Sequence, residues 1–282
     1  MEQNREGEKS QKSYEIKWIV PDDTQDILNK LEKGGSLINP YLSQNRFLCH
    51  IKEKTKDKIK EETVPYLYTM LKKGTVSGDE FCNGELMELA CRLNARNLEL
   101  SRQFAAKEKY HFKPYDKMII GEGGGLYMGM QPLKLHPLYG IPYIPASTTK
   151  GVYKSAWTMV FENESSQERK DFIELFGSAG DEESIEGRLV FFDNFPEKFE
   201  LGLDIQNVHY KEYYDATKPP TDDMDVNPVF FVCMTKSEFY ILVACRDAAL
   251  WERNKHKIDR VTDVVINQMG IGAKTALGYG IV

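Results

Sequence analysis

Two short segments carry residue types suited to phosphate chemistry. The first is the glycine-rich run Gly270-Ile-Gly-Ala-Lys-Thr-Ala-Leu-Gly-Tyr-Gly. Closely spaced glycines allow close backbone approach, and a Lys-Thr pair can hold a phosphate or a ribose without reading a base. A nucleoside triphosphate loop is excluded: it needs Gly directly before its Lys and a long helix after it, whereas Ala273 precedes Lys274 and eight residues follow. On this first reading Gly270, Gly272, Lys274 and Thr275 are phosphate or ribose contacts; on the plain alternative they form a tight turn before a last strand. The second segment, Gly140-Ile-Pro-Tyr-Ile-Pro-Ala-Ser-Thr-Thr-Lys-Gly, ends at a predicted helix start. Free backbone amides there, with the hydroxyls of Ser147, Thr148 and Thr149 and the ammonium of Lys150, make an anion site. Helix capping is the alternative.

Residues able to catalyse are sparse. His136 or His209 has the side chain for a general base near neutral pH, with Lys150 to stabilise a phosphorane. The sequence supplies neither with a partner: Leu135 and Pro137 flank His136, and His209 adjoins Tyr210. Asp193 and Asp204 are metal-ligand types, but both fall at predicted strand ends, where capping and salt links are common. The five cysteines include no Cys-x-x-Cys pair, and Cys49-His50 is the sole Cys/His neighbour pair, so neither disulfides nor structural zinc are expected. No cofactor is implied. A non-catalytic binding protein is the primary expectation, with an endoribonuclease using His136 or His209, or a purely protein-binding scaffold, as alternatives.

Composition agrees with an ordinary globular chain: 282 residues, 41% hydrophobic and 11% aromatic. Its apolar runs, such as Pro228 to Met234, fall far short of the roughly 18 residues of a membrane span. Met1 to Lys12 is polar and lacks the apolar core of an export signal, which predicts a flexible terminus and a cytoplasmic address. A net charge of −6 argues against nucleic acid on average, but the charge is uneven. Lys107 to Trp157 has seven basic and three acidic side chains, and Arg246 to Val282 has six and four; Thr158 to Phe230 has six and eighteen. The acidity is confined to the middle, which leaves room for a local basic groove or for an acidic docking surface.

The elements that must position these segments follow from periodicity. Residues 1 to 106 are predicted to be a helical region packed on the main domain, with helices from Asp22 to Lys33, within Lys52 to Leu71, and from Gly84 to Lys107. The alternation Lys52-Lys54-Lys56-Lys58-Lys60 reads as a solvated face. Residues 107 to 282 are predicted to be strand-rich: strand Tyr110 to Gly121, helix Lys150 to Phe161, strands Gly187 to Phe192 and Phe199 to Ile205, a hairpin turning at Thr235-Lys236-Ser237, helix Asp247 to Asn267, and a final strand Leu277 to Val282. Gln206 to Asn227 has neither period and reads as an inserted arm. The order βαββαβ predicts an α+β, ferredoxin-like or RNA-recognition-motif domain.

The segments Leu135-His-Pro-Leu-Tyr-Gly-Ile-Pro-Tyr-Ile-Pro-Ala-Ser-Thr-Thr-Lys-Gly-Val, Phe191-Phe-Asp-Asn-Phe-Pro, Leu203-Asp-Ile-Gln-Asn-Val-His-Tyr-Lys-Glu-Tyr-Tyr and the glycine-rich ending resemble the repeat-associated mysterious proteins of CRISPR systems. Within that superfamily the likeness runs to the sixth-subunit branch of the type III-B, or Cmr, effector complexes, over Tyr110 to Val282. The resemblance implies a non-catalytic backbone subunit that binds CRISPR guide RNA towards its 3′ end, helps hold the target RNA duplex, and packs against other Cmr subunits in antiviral defence. Ser147, Thr148, Thr149, Lys150 and Lys154 would face guide phosphates, with Gly270, Gly272, Lys274 and Thr275. His209, Tyr210, Tyr213 and Tyr214 would lie at the base of the arm. The turn Gly121-Glu-Gly-Gly-Gly departs from the pattern, because Glu122 beside a phosphate is repelled.

Overall fold

The computed structural model describes residues 13–33, 38–54, 59–121, 130–161, 166–178, 184–208 and 227–282. It is a mixed α/β structure with antiparallel sheets. The first part of the chain runs β1 (Ser13–Ile19), α1 (Asp22–Lys33), α2 (Pro40–Asn45), β2 (Leu48–Lys54), β3 (Ile59–Pro65), α3 (Tyr66–Leu71), β4 (Val76–Ser77) and α4 (Glu85–Ser101). The second runs β5 (Ala106–Phe112), β6 (Met130–Gln131), α5 (Ala146–Phe161), α6 (Ser166–Phe176), β7 (Gly177–Ser178), β8 (Ile185–Glu186), β9 (Leu189–Phe191), β10 (Lys198–Val208), β11 (Asn227–Cys245) and α7 (Ala248–Val264).

Strands β1, β2 and β3 form an antiparallel sheet with β2 in the centre, which corrects the expected helix over Lys52 to Leu71. The decisive pattern is period two rather than period 3.6: Cys49 and Ile51 on β2, and Val64 on β3, are buried, on a sheet whose other face carries charge. Only Tyr66 to Leu71 is helical. Lys56 and Lys58 lie outside the described residues. The helices over Asp22 to Lys33 and within Gly84 to Lys107 form as expected.

The main sheet has the order β4-β10-β11-β5, with β6 and β9 also paired to β11. Its spine is β11. One half of this 19-residue strand pairs with β10 from Asn227 to Glu238, and the other pairs with β5 from Phe239 to Cys245. The hairpin expected at Thr235-Lys236-Ser237 is therefore absent. The register passes from Leu201↔Met234 to Glu200↔Lys236 and leaves Thr235 as a bulge. None of the three residues readily adopts the positive φ of a two-residue reversal, so the strand absorbs its polar interruption by bulging. The expected strand Tyr110 to Gly121 is shorter: it ends at Phe112 before Pro114, which has no amide hydrogen to donate, and the chain returns to β11 through a bridge between Met118 and Met234.

The last strand expected over Leu277 to Val282 does not form. A short helical turn covers Thr275–Leu277, after which Gly280 donates to the Lys117 carbonyl at 2.8 Å and the Ile281 carbonyl accepts from the Tyr115 amide at 2.8 Å.

One hydrophobic core runs from Trp18 to Ile271, so the two parts of the chain interlock. β4 pairs with β10, and Phe81, fully buried, stacks on Phe199 with centroids 6.4 Å apart. Helices α5, α6 and α7 pack on one another, with Trp157 of α5 edge-on to Phe176 of α6 at 5.6 Å. Phe81→Ala is expected to cost about 3–5 kcal/mol and, because the core is shared, to lower a single cooperative urea transition monitored over the whole chain. A separate early transition for residues before β5, with the remainder unmoved, would contradict the shared core.

Candidate nucleic-acid interface

The start of α5 is held from below by the turn between β9 and β10. The Asp193 carboxylate accepts from the Ala146 amide at 2.7 Å, and the Pro145 carbonyl accepts from the amides of Thr148 and Thr149 at 2.9 and 3.1 Å. Two of the amides that a helix start leaves orphaned, those of Ala146 and Thr148, are thus used internally, so capping accounts for much of this segment. Thr149 is buried; its hydroxyl contacts the Pro145 carbonyl and the Asn194 amide, each at 3.5 Å. It faces the core, which corrects its assignment as a phosphate contact. Ser147 and Lys154 are exposed, and Thr148 and Lys150 half-buried. The Lys154 ammonium lies 5.6 Å from the Phe172 ring.

The glycine-rich run closes on itself. Ala273 donates to the Ile119 carbonyl at 2.8 Å and Ile271 to the Gly280 carbonyl at 2.9 Å. At Gly272 (φ +119°) a Cβ would collide with the Ile119 carbonyl, and at Gly280 (φ +65°) with that of Ile271. The close approach these glycines permit is to the protein's own backbone, and Gly270 is buried. The side chains project differently. Lys274, with left-handed backbone (φ 60°, ψ 30°), directs its ammonium to the Gln206 side-chain oxygen and lies 5.0 Å from the Phe231 ring centre. Helix α5 packs on the turn Val265–Met269 that feeds Gly270, so the two segments belong to one connected region.

The model of the RAMP superfamily matches residues 116–282. The chain belongs to the RAMP superfamily. The CRISPR system Cmr subunit Cmr6 of Pyrococcus furiosus is 30% identical over 227 positions, covering 60% of this chain and 65% of that protein; the chain thus spans just under two thirds of the curated relative's length. A chain of the type III-B Cmr-beta complex bound to cognate target RNA superposes with a TM-score of 0.52 at 21% identity, covering 69% of this chain and 63% of the other, which establishes likeness of fold. The crystal structure of Pyrococcus furiosus Cmr6 gives a TM-score of 0.38 at 24% identity, covering 62% of this chain and 96% of that one.

In this RAMP chain His136 is taken up by its own loop. Its Nδ1 accepts from the amides of Leu138 and Tyr139 at 3.3 and 3.4 Å, and its ring stacks on Tyr139 with centroids 4.3 Å apart. Burial pushes its pKa down, against the Asp193 charge, which pulls it up. His209, Tyr210, Tyr213, Tyr214 and the turn at Glu122 lie outside the described residues. Among the described residues no group of three or more His, Cys, Asp or Glu side chains is placed to hold a metal ion, and no helix is long and apolar enough to cross a membrane.

The sequence reading offered Asp193 and Asp204 for capping and salt links, and both serve so; what it missed is their partners. Asp204 accepts from the Lys117 ammonium at 2.8 Å and the Tyr279 hydroxyl at 2.7 Å, pinning the glycine-rich run to β10. Burial alone would raise its pKa; the hydrogen bonds from Lys117, Tyr279 and the Ile205 amide outweigh burial and hold the carboxyl below its ordinary value. Nothing in the sequence marked the Asp204 to Tyr279 link, 75 residues apart. Because the folded pKa is depressed, Asp204 contributes stability above its unfolded value of about 3.9 that is lost as pH falls through the folded value. Asp204→Asn is therefore expected to cost about 1.5–3 kcal/mol at pH 7, with melting midpoints of wild type and variant converging as pH is lowered towards 3. A gap between the two melts that stays constant with pH would show that the carboxylate's charge contributes nothing.

Proposed function

We propose that this RAMP chain is a non-catalytic backbone subunit of a cytoplasmic type III-B CRISPR RNA-guided effector complex, in which it binds guide RNA towards its 3′ end and helps hold the target duplex. The observation that carries this reading is the outer face of α5. A glycine inside a helix costs about 0.5–1 kcal/mol relative to alanine, yet Gly151 is exposed and nothing lies within 4 Å of where its Cβ would be. Its small size serves no contact among the described residues, but it suits a backbone approaching from outside. Ser147, Lys150, Lys154 and Ser155 surround it on the helix surface, the hydroxyl and ammonium chemistry that grips phosphates without reading sequence. Thr148 at the helix start, and Lys274 with Thr275 on the glycine-rich run, extend the surface.

The same proposal treats the chain as a divergent ferredoxin-like domain. The order β5, α5, β9, β10, β11, α7 supplies the first five elements of that plan with one additional strand, and the glycine-rich run, bonded to Lys117 and Ile119, stands where the closing strand would be. The non-catalytic assignment is supported by the engagement of His136 Nδ1 with its own loop. The scaffold alternative loses support because Glu168, Asp171 and Glu174 of α6 are engaged with Lys257 and Arg253 of α7 at 2.9 to 3.3 Å.

The test uses the assembled complex. Lys150→Ala combined with Lys274→Ala is expected to leave subunit association intact, weaken guide retention, and flatten the dependence of log affinity on log salt by about 1.4, or roughly 0.7 per lost phosphate contact on a single strand. Unchanged RNA retention and slope in that variant would sink the RNA-clamp reading and favour the scaffold.

A further inference from the structure

A cleft of about 200 Å³ lies between α4 and the main sheet. One wall is apolar: Cys91, Ala95 and Leu98, a turn apart along α4, with Leu98 41% exposed. The other wall is Tyr240 and Leu242, alternate residues on one face of β11. The Lys109 ammonium lies 3.3 Å from the Tyr240 ring centre and 4.0 Å from the Glu197 carboxylate. Two apolar walls, a cation on an aromatic ring and a polar end describe a slot for a flat heteroaromatic group.

The polar inventory narrows the occupant. Asn94 spends its side chain on both backbone groups of Phe195, at 3.0 and 3.2 Å, and Asn194 spends its own on Leu242, Phe192 and Thr149. Asn97 gives its amide to the Asp193 carbonyl at 2.8 Å and keeps its side-chain oxygen as an acceptor; Glu197 adds carboxylate oxygens. The slot thus offers acceptors to a group with an exocyclic amine, and Lys109 a charge to a phosphate. It also adjoins the α5 surface: Asp193, bonded to Asn97 of the slot, caps Ala146 next to exposed Ser147, and Asn194 joins the slot to Thr149.

We propose that this cleft is a nucleobase pocket, which takes one unstacked, amino-bearing base of the RNA whose phosphates run along α5. The proposal rests on the RNA-clamp reading and deepens it, since it adds base stacking to backbone contact and gives α4, in a region with no assigned role, a place at the RNA. The slot holds one base by stacking and an amine contact, which distinguishes amino-bearing bases from uracil.

The test is made on the assembled complex with guide RNA carrying 6-thioguanosine, which retains the 2-amino group, at one position at a time. Irradiation is expected to crosslink one position to the peptide containing Cys91 to Leu98 or to that containing Tyr240, and the crosslink to vanish in Ala95→Trp, a surface substitution that fills the slot. In the unsubstituted chain a stacked base worth about tenfold in occupancy should slow alkylation of exposed Cys91 by about tenfold when RNA is loaded. No crosslink at any position, together with unprotected Cys91, would overturn the pocket while Lys150→Ala with Lys274→Ala still loses RNA and the clamp stands. Retained RNA in that double variant overturns the clamp itself. Equal protection of Cys91 with and without RNA overturns the pocket in a different way, by showing that a neighbouring subunit's side chain fills it.

Discussion

A single buried carboxamide ties the working parts of the molecule together. Asn194, 2% exposed, accepts from the Leu242 amide of β11 at 3.1 Å, donates to the Phe192 carbonyl at 3.0 Å, and reaches the Thr149 hydroxyl of α5. Its backbone exchanges two hydrogen bonds with Ile144, at 2.9 and 3.0 Å, just before α5 begins. An asparagine has two donors and two acceptor lone pairs, and here they bridge the spine strand and the helix that bears Ser147, Lys150 and Lys154. A buried polar group left unpaired is costly, so any displacement of α5 relative to β11 is opposed by the loss of several bonds at once. The lysines of α5 thereby share the rigidity of the sheet.

The distribution of charge follows the same division between structure and surface. An acidic chain with a net charge of −6 can still present cations if its carboxylates are spent internally. Asp171 and Glu174 hold Arg253, Glu168 holds Lys257, Asp259 holds Lys255, and Asp204 holds Lys117. Each of those lysines and arginines is largely neutralised. Among the described residues neither Lys150 nor Lys154 is held in such a pair, and proximity rather than net charge governs what a surface cation attracts.

Local signals in the sequence were sufficient for elements whose stabilising contacts lie within one segment. Helix α4 from Glu85 to Ser101, helix α5 and the Asp247 cap of α7, which accepts from Leu250 at 2.9 Å, follow from caps and apolar spacing. The β2–β3 hairpin was hidden because Lys and Glu dominate its sequence from Lys52 to Glu62, a composition that a helical surface carries as well. The continuity of β11 was hidden because a polar trio inside an apolar run has the same composition whether the chain turns or bulges; the neighbouring strand β10 decides. Of the candidate contacts, the polarity of Ser147 and Lys150 was legible, whereas the inward turn of Thr149 depended on Asn194, 45 residues away. The glycine-rich run was read as permitting close backbone approach, and the carbonyls that approach Gly272 and Gly280 belong to Ile119 and Ile271, partners that no local pattern marks.

The link from Gln206 to Lys274 completes the physical picture of the glycine-rich run. Asp204 and Gln206 are alternate residues on β10 and so face the same side, where one takes Tyr279 and the other Lys274. The left-handed backbone of Lys274 costs roughly 1–2 kcal/mol for a residue with a Cβ, a strain that persists only because the contacts around it over-determine it. The Gln206 side-chain oxygen accepts from the Lys274 ammonium and so orders it, as Asp204 orders Lys117. An ordered side chain has less rotamer freedom left to lose in any further contact, which is the part of binding that preorganisation supplies. The left-handed turn at Lys274 and the two β10 side chains thus fix the glycine-rich run on the sheet as one unit.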